Sequence, residues 1–233
     1  MTVFTVTGDV DPFLHASLSL GDKIYCESDA MVMMEDTLNL KGRITGGVFR
    51  GLLRKFTNGE NFFQGHIEAA RGAGDCLLSP TLPGAVQVLD VGEKQYLLAD
   101  GAFVAATSTV QMKVKMQSIG NALFARTGGF VVMITSGQGQ VAVSGFGSMF
   151  ILDVDPSKEV LIDNAHVVAW DANLKYKLAL STSSGFIDGL IGSATTGEGI
   201  VLRFSGSGKV LVCSRNRENF LEWIAGRAAK PTN

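Results

Sequence analysis

The feature that most constrains the fold of this 233-residue chain is a set of glycine motifs that recur in the same order three times. The most regular of them is Gly-x-Gly, which occurs at Gly72–Gly74, Gly137–Gly139 and Gly206–Gly208. Each copy precedes a short apolar run, and the copies lie about 65 to 70 residues apart. Because a fixed period is the signature of internal repeats, we predict one domain made of three pseudo-repeats. They cover roughly residues 8–80, 81–150 and 151–214.

Two further motifs recur on nearly the same period. One is a polar pair between two short apolar runs, and its copies are Ser28-Asp29, Asp100-Gly101 and Asp163-Asn164. The other is a glycine just after a threonine, at Gly59, Gly128 and Gly197. These residue types tolerate tight turns, so we predict a β-hairpin or a sharp bend at each polar pair. At the Gly-x-Gly motifs we predict hairpin turns, because glycine supplies the positive φ that they require.

The segments between these turns have the periodicity of β-strands. Leu14, Ala16 and Leu18 alternate with polar residues and predict one buried face of a strand. Many short strands with glycine turns favour an all-β sandwich or barrel. The end of the chain differs, because residues 216–229 predict one amphipathic helix with Ser214 or Asn216 as its N-cap. We expect this helix to cover a sheet face or an exposed edge.

Composition excludes several classes of protein. With 46% apolar and only 18% charged residues, the chain is not disordered. Its pI of 5.9 and net charge of −2 argue against nucleic-acid binding, because such domains usually have a pI above about 9. The three cysteines, Cys26, Cys76 and Cys213, show no metal-ligand spacing and predict buried structural thiols. The start of the chain lacks the pattern of a signal peptide, so we expect a cytoplasmic protein.

Catalytic signatures are missing from the sequence. Gly-x-Gly lacks the third glycine of a nucleotide-binding loop, and no serine or cysteine lies in a known nucleophile motif. We therefore predict no catalytic residue, no cofactor and no metal. His15, His66 and His166 are the only histidines and do not have metal-ligand spacing. In our alignment His166 takes the position of Met31 and Phe103, which makes it the candidate titrating site.

One basic segment, residues 43–56, is a candidate interaction surface. Its apolar residues fall on one helical face, and they are Val48, Phe49, Leu52, Leu53 and Phe56. Its basic residues lie elsewhere, and they are Arg50, Arg54 and Lys55. A helix with this pattern can lie on a membrane surface or a protein partner. The alternative is a crossing helix that packs on its own sheet and keeps its basic side in solvent.

The order of several motifs resembles the altered inheritance of mitochondria protein 24 family over roughly residues 8–215. The motifs are Glu27–Met34, Gly46-Gly47, Gly51–Arg54, Gly59–Phe63, Pro83-Gly84, Asp100–Val104, Asp163–Ala169 and Gly197–Val201. The resemblance implies an all-β fold similar to the trp RNA-binding attenuation protein, a short relative of the double-stranded β-helix. It also implies a link to membrane organisation, since mitochondrial members are linked to the inner membrane. It supplies no catalytic or ligand residues, and a shared fold does not transfer RNA binding.

These observations favour a non-enzymatic binding or scaffolding protein that forms a homo-oligomer, with a protein partner or a membrane surface as its target. The alternative is a small-molecule-binding protein or a metal-dependent, cupin-like enzyme. That alternative needs two or three histidines that converge with a carboxylate on one metal ion, and His15, His66 and His166 are its candidates.

Overall fold

The computed structural model of the chain describes residues 2–42, 65–117, 130–182, 185–188 and 200–228. These ranges are almost entirely β-structure, as predicted. The strands are β1 (Val3–Thr7), β2 (Phe13–Leu18), β3 (Lys23–Cys26), β4 (Met31–Met34), β5 (Asn39–Gly42), β6 (Gly65–Glu68), β7 (Gly74–Leu78), β8 (Gly84–Val91), β9 (Tyr96–Ala99), β10 (Phe103–Thr107), β11 (Val110–Gln117), β12 (Phe130–Gly137), β13 (Gly139–Phe146), β14 (Met149–Val154), β15 (Val160–Asp163), β16 (Val167–Asp171), β17 (Lys175–Thr182), β18 (Gly185–Asp188), β19 (Ile200–Ser205) and β20 (Gly208–Cys213). A 3-10 turn, Asn164–His166, precedes β16, and the helix α1 spans Arg217–Ala228.

The described strands form four antiparallel sheets. Sheet A has the order β1-β2-β7-β4, and sheet B has the order β5-β6-β3-β10-β13-β8. Sheet C has the order β11-β12-β9-β16-β20-β14, and sheet D has the order β15-β19-β17-β18. Buried side chains join sheet A to sheet B, sheet B to sheet C, and sheet C to sheet D. The sheets are therefore stacked in the order A, B, C, D.

Each six-stranded sheet consists of two blocks of three strands from successive parts of the chain. In sheet B the block β8-β13-β10 joins the block β3-β6-β5 through the pair β10–β3. In sheet C the block β14-β20-β16 joins the block β9-β12-β11 through the pair β16–β9. Sheet A contains one block of the first kind, β2-β7-β4, and sheet D contains one block of the second kind, β15-β19-β17. These two blocks are not joined in one sheet.

The pairing register corrects one part of our sequence alignment. A β-bulge lies at the same place in three strands, at Met31/Met33, Phe103/Ala105 and Val167/Ala169. Val167 therefore matches Met31 and Phe103, and our placement of His166 there is wrong by one residue. The first two bends contain a residue with positive φ, Asp29 at 63° and Gly101 at 76°. The third bend is instead the 3-10 turn Asn164–His166. The three polar pairs therefore do not adopt the same backbone conformation.

The Gly-x-Gly motifs are corners between sheets, and our prediction of hairpin turns is wrong. β12 lies in sheet C and β13 in sheet B, while β19 lies in sheet D and β20 in sheet C. β6 and β7 are divided between sheets B and A in the same way. Gly137 and Gly206 have φ values of 92° and 106°, which glycine adopts at little steric cost.

A side-chain oxygen fastens each of these corners. In every case it accepts a hydrogen bond from the backbone N–H that follows the second glycine of the motif. The three pairs are Glu35 with Asp75 at 3.2 Å, Thr107 with Gln140 at 3.0 Å, and Asp171 with Lys209 at 3.0 Å. We call these contacts the corner clasps. Each clasp ties the start of the strand that follows the corner to the end of an earlier strand in the same sheet.

The predictions for the cysteines and for β2 are confirmed. Cys26, Cys76 and Cys213 are free and buried. Burial raises the pKa of Cys26 to about 11 and that of Cys76 to about 12, so neither thiol ionises near neutral pH. In β2 the predicted apolar face, which includes Leu14 and Ala16, is fully buried.

The helix α1 begins close to the predicted residue. Asn216 is its N-cap, because the Asn216 side-chain oxygen accepts a hydrogen bond from the backbone N–H of Asn219 at 3.1 Å. The ring of Phe220 packs on the ring of Phe146 with 5.1 Å between centroids. α1 thus contacts the end of β13 through Phe220, whereas residues 221–227 are exposed, so the expected cover of a sheet does not extend beyond the first turn of the helix.

Replacement of Gly84 by alanine should destabilise the fold. Gly84 has a φ of 150°, and an added Cβ would clash with the carbonyl of Gly145 and lie 2.5 Å from the amide nitrogen of Gly147. We expect Gly84→Ala to lower the free energy of unfolding by about 3 kcal/mol in urea titrations. In the control, Gly92→Ala, the nearest atom is 3.8 Å away, and we expect a change below about 0.5 kcal/mol. Equal stability of the two variants would contradict the prediction.

Candidate functional site

The three histidines lie in different parts of the fold. His15 is in β2 of sheet A, His66 is in β6 of sheet B, and His166 ends the 3-10 turn between sheets D and C. Across the residues that the structure describes, no three His, Cys, Asp or Glu side chains are grouped so that they could hold a metal ion. The convergence that the metal-enzyme alternative requires is therefore not found among them.

His15 takes part in a small polar cluster on sheet A. Its Nε2 lies 3.5 Å from Oδ1 of Asp75, and the hydroxyl of Ser17 donates to the same oxygen. Both contacts end on one carboxylate, so the Ser17 proton is directed to Asp75 and not to the imidazole. The cluster holds β2 against β7 and does not have the geometry of an activated serine, which needs a base on the hydroxyl.

The other two histidines have contacts that differ from each other. Nδ1 of His166 lies 2.8 Å from the carbonyl oxygen of Cys213, so an Nδ1–H donates to the end of β20 and fixes the turn there. For His66, burial and the charges of Lys23 and Lys41 lower the pKa. His66 therefore favours the neutral form.

The predicted interaction surface lies outside the described residues. It consists of Val48, Phe49, Arg50, Leu52, Leu53, Arg54, Lys55 and Phe56. The two alternatives for this segment, a surface for a membrane or partner and a crossing helix on its own sheet, both stay predictions.

An acidic cluster lies where α1 meets the bend between β3 and β4. Burial is the largest influence on Glu27 and raises the pKa of its carboxyl to about 7. The guanidinium of Arg217 opposes this shift, while the carboxylates of Asp29 and Asp100 add to it. Arg217 lies directly over the second bend, since a Cβ on Gly101 would be 3.5 Å from its guanidinium. The pKa of Glu27 thus depends on the position of the first turn of α1 relative to the two bends.

Helix α1 carries exposed apolar side chains, which we call the α1 surface. Its members are Leu221, Trp223 and Ile224. The Trp223 indole stacks on Phe220 with an interplanar angle of 10°, and the guanidinium of Arg227 lies 4.0 Å from its ring centroid. The sequence predicts an amphipathic helix here, but Leu221 and Ile224 from its apolar residues are exposed together with Trp223. Aromatic rings held in this way are typical of binding hot spots.

Glu27 should make the stability of the fold depend on pH. Its carboxyl has an ordinary value of 4.5 and a folded value of about 7, so the folded chain binds the proton more tightly than the unfolded chain. The resulting stabilisation is complete below pH 4.5 and is lost as the pH rises through about 7. Glu27→Gln removes this dependence, and its unfolding free energy relative to the wild type should rise by about 2 kcal/mol between pH 5 and pH 8.

Urea titrations at both pH values measure this effect. The matched control is Glu93→Gln, because Glu93 is exposed and makes no buried contact of this kind. Its unfolding free energy should follow that of the wild type at both pH values. A parallel pH dependence in wild type and Glu27→Gln would show that the environment of Glu27 is assigned incorrectly.

Comparisons with known proteins complete the description of the chain. No helix in the described ranges is long and apolar enough to cross a membrane. An uncharacterized protein of Streptococcus pyogenes serotype M6 is 36% identical over 217 residues, which is 90% of this chain and 84% of that relative. The crystal structure of protein SPYM3_0169 from Streptococcus pyogenes has a TM-score of 0.79 and 33% identity, and the match covers 97% of this chain and 100% of that one. Residues 4–215 match the family described as mitochondrial biogenesis AIM24. The resemblance found in the sequence is confirmed, and the chain belongs to the mitochondrial biogenesis AIM24 family.

Proposed function

We propose that this protein is a non-enzymatic binding or scaffolding protein that acts in the cytoplasm as a homo-oligomer. The observation that carries the proposal is the α1 surface, in which large apolar side chains face solvent. Trp223 has 55% of its surface exposed although Phe220 and Arg227 hold the ring in place. A rigid aromatic ring with an arginine beside it loses little conformational freedom when a partner binds.

The recurring strand blocks support a scaffold of three pseudo-repeats with the boundaries given above. The blocks β2-β7-β4, β8-β13-β10 and β14-β20-β16 have the same pairing order. The space between sheets is filled by apolar side chains, such as Trp170 against Phe204 between sheets C and D. At the corners the polar side chains of Glu35, Thr107 and Asp171 have a structural role as corner clasps. A body of this kind suits the display of surfaces to partners.

A peripheral contact with membranes is part of the proposal. The sequence of the basic segment 43–56 predicts an apolar helical face together with Arg50, Arg54 and Lys55, which attract anionic lipids when they lie near a membrane surface. Trp223 adds an aromatic side chain of the type that prefers the membrane interface.

The homo-oligomer is tested by its mass in solution. We expect multi-angle light scattering of the full chain at tens of micromolar to give a mass of at least two copies of 24.7 kDa. The mass should fall toward that of one copy on dilution if the contact is reversible. A strict monomer over this concentration range would remove the oligomeric part of the proposal.

The membrane contact is tested by flotation with liposomes of phosphatidylcholine and phosphatidylserine. We expect the chain to float with these vesicles at low salt and to be released as salt screens the anionic surface. Leu52→Glu should lower the floated fraction several-fold, because it places a charge on the predicted apolar face. Phe150→Ser is the matched control, since Phe150 is also exposed but lies on β14. Absence of flotation with anionic vesicles would rule out the membrane contact.

A further inference from the structure

We propose that β4 of one copy of this chain pairs with β15 of a second copy, in antiparallel orientation, and joins sheet A of the first copy to sheet D of the second in one eight-stranded sheet. The inference rests on the proposed homo-oligomer and names its partner surfaces. The register places Met33 opposite Ile162, Met34 opposite Leu161, and Glu35 opposite Val160. The resulting sheet has the order β1-β2-β7-β4-β15-β19-β17-β18, in which the last four strands belong to the neighbouring copy. Its six central strands repeat the arrangement of blocks in sheets B and C.

The two joins inside the chain provide the template for this pairing. At the β10–β3 join, Ala105, Ala106 and Thr107 pair with Cys26, Tyr25 and Ile24. At the β16–β9 join, Ala169, Trp170 and Asp171 pair with Leu98, Leu97 and Tyr96. The backbone bond that ends each join also recurs, from Ser108 to Lys23 at 3.1 Å and from Ala172 to Gln95 at 2.8 Å. β4 belongs to the same kind of block as β10 and β16, and β15 to the same kind as β3 and β9.

The exposure of a valine at the bulge shows that β4 lacks a neighbouring strand block. Val32, Val104 and Val168 each lie between the two residues at which the register shifts. Val104 and Val168 are 0% and 2% exposed, whereas Val32 is 53% exposed. The same residue type at the same place in the block is therefore buried wherever the neighbouring block is present. Burial of Val32 by a second copy would give it the environment of the other two.

β15 differs from its counterpart β9 in the same way. Leu97 in β9 is 7% exposed and faces Trp170 across the β16–β9 join. Leu161 holds the matching position in β15 and is 40% exposed. In the part of the chain that the structure describes, β15 pairs on one side only, with β19. An edge strand with exposed apolar side chains readily pairs with another chain unless it is protected.

The stacking order indicates a second copy as the partner. Sheets A and D lie at opposite ends of the stack, because buried clusters join A to B, B to C, and C to D. In the folded chain β4 and β15 are in different sheets and both have exposed side chains. One copy therefore offers the two complementary edges at its two ends. This makes a head-to-tail contact, which closes into a ring when the rotation between copies allows it.

The charges at the end of the join are compatible with pairing. The template places Asp36 beside Glu159, which would be unfavourable for two free carboxylates. Each carboxylate is already in an ion pair with an arginine, since Asp36 lies 3.4 Å from Arg71 and Glu159 lies 3.3 Å from Arg203. Two ion pairs would thus meet at this end of the join in place of two unpaired charges.

The test is a disulfide between copies. Met33 and Ile162 correspond to pairs without direct hydrogen bonds, because the backbone bonds at the template join fall on the alternate residues. Such pairs have Cα atoms about 4.5 Å apart, which is within the range of a disulfide. Mixing full-length Met33→Cys chains with full-length Ile162→Cys chains under mild oxidation should produce a species of twice the chain mass on a non-reducing gel. The native cysteines are buried and should not react.

The matched control mixes Met33→Cys with Leu161→Cys. Successive side chains of a strand point to opposite faces of the sheet, so the proposed register predicts at least a tenfold lower yield of disulfide for this mixture. Equal yields would overturn the register. A double variant, Met33→Cys with Ile162→Cys in one chain, that forms its disulfide at the mass of a single chain would show closure within the chain and would overturn the inference.

A second measurement does not depend on cross-linking. Val32→Lys places a charge on the exposed edge and should reduce the mass by light scattering to that of one copy. Val6→Lys is the matched control, because Val6 is exposed on β1 at the other edge of sheet A, and its mass should equal that of the wild type. A wild type that is oligomeric while Val32→Lys keeps the same mass would overturn the β4–β15 join and leave the proposed scaffold intact. A monomeric wild type would overturn both.

Discussion

The fold depends on the backbone hydrogen bonds that join successive strand blocks, at the pairs β10–β3 and β16–β9. They include the bond from the N–H of Glu27 to the carbonyl of Val104 at 2.9 Å. Because of these joins, a sheet that covers one core also contributes strands to the next core. β9, β10 and β16 are consequently buried along their whole length. The strand blocks that meet at these joins therefore need each other for both hydrogen bonds and apolar burial.

The corner clasps explain how the chain changes sheet without losing its register. Glycine at Gly137 and Gly206 permits the backbone to turn, but a turn alone does not fix where the next strand begins. The side-chain oxygen of Thr107 or Asp171 fixes this, because it bonds the first N–H after the corner. Turn and clasp together place the next strand one sheet away, on the opposite side of the core.

The sequence predicts the class of the fold better than its connections. Glycine spacing and alternation such as Leu14 and Ala16 indicate strands and turns, since those depend on local chemistry. Whether a turn is a hairpin or a corner depends on partners far along the chain, and this is why the hairpin prediction failed. The clasps use Glu35, Thr107 and Asp171, three residue types with one role, so no motif reveals them. The raised pKa of Glu27 likewise arises mainly from burial in the folded chain, which its neighbours in the sequence do not reveal.

The shared sheets also affect how the chain is made on the ribosome. Domains form from the N-terminus as synthesis proceeds, so β3, β6 and β5 emerge well before β10. Until β10 arrives, the edge of β3 is open and Tyr25 and Cys26 lack the neighbours that they have in sheet B. The nascent chain thus carries an open strand edge through much of its synthesis, and an unprotected edge can pair with other extended segments. A stall before β10 would leave that edge available to other chains.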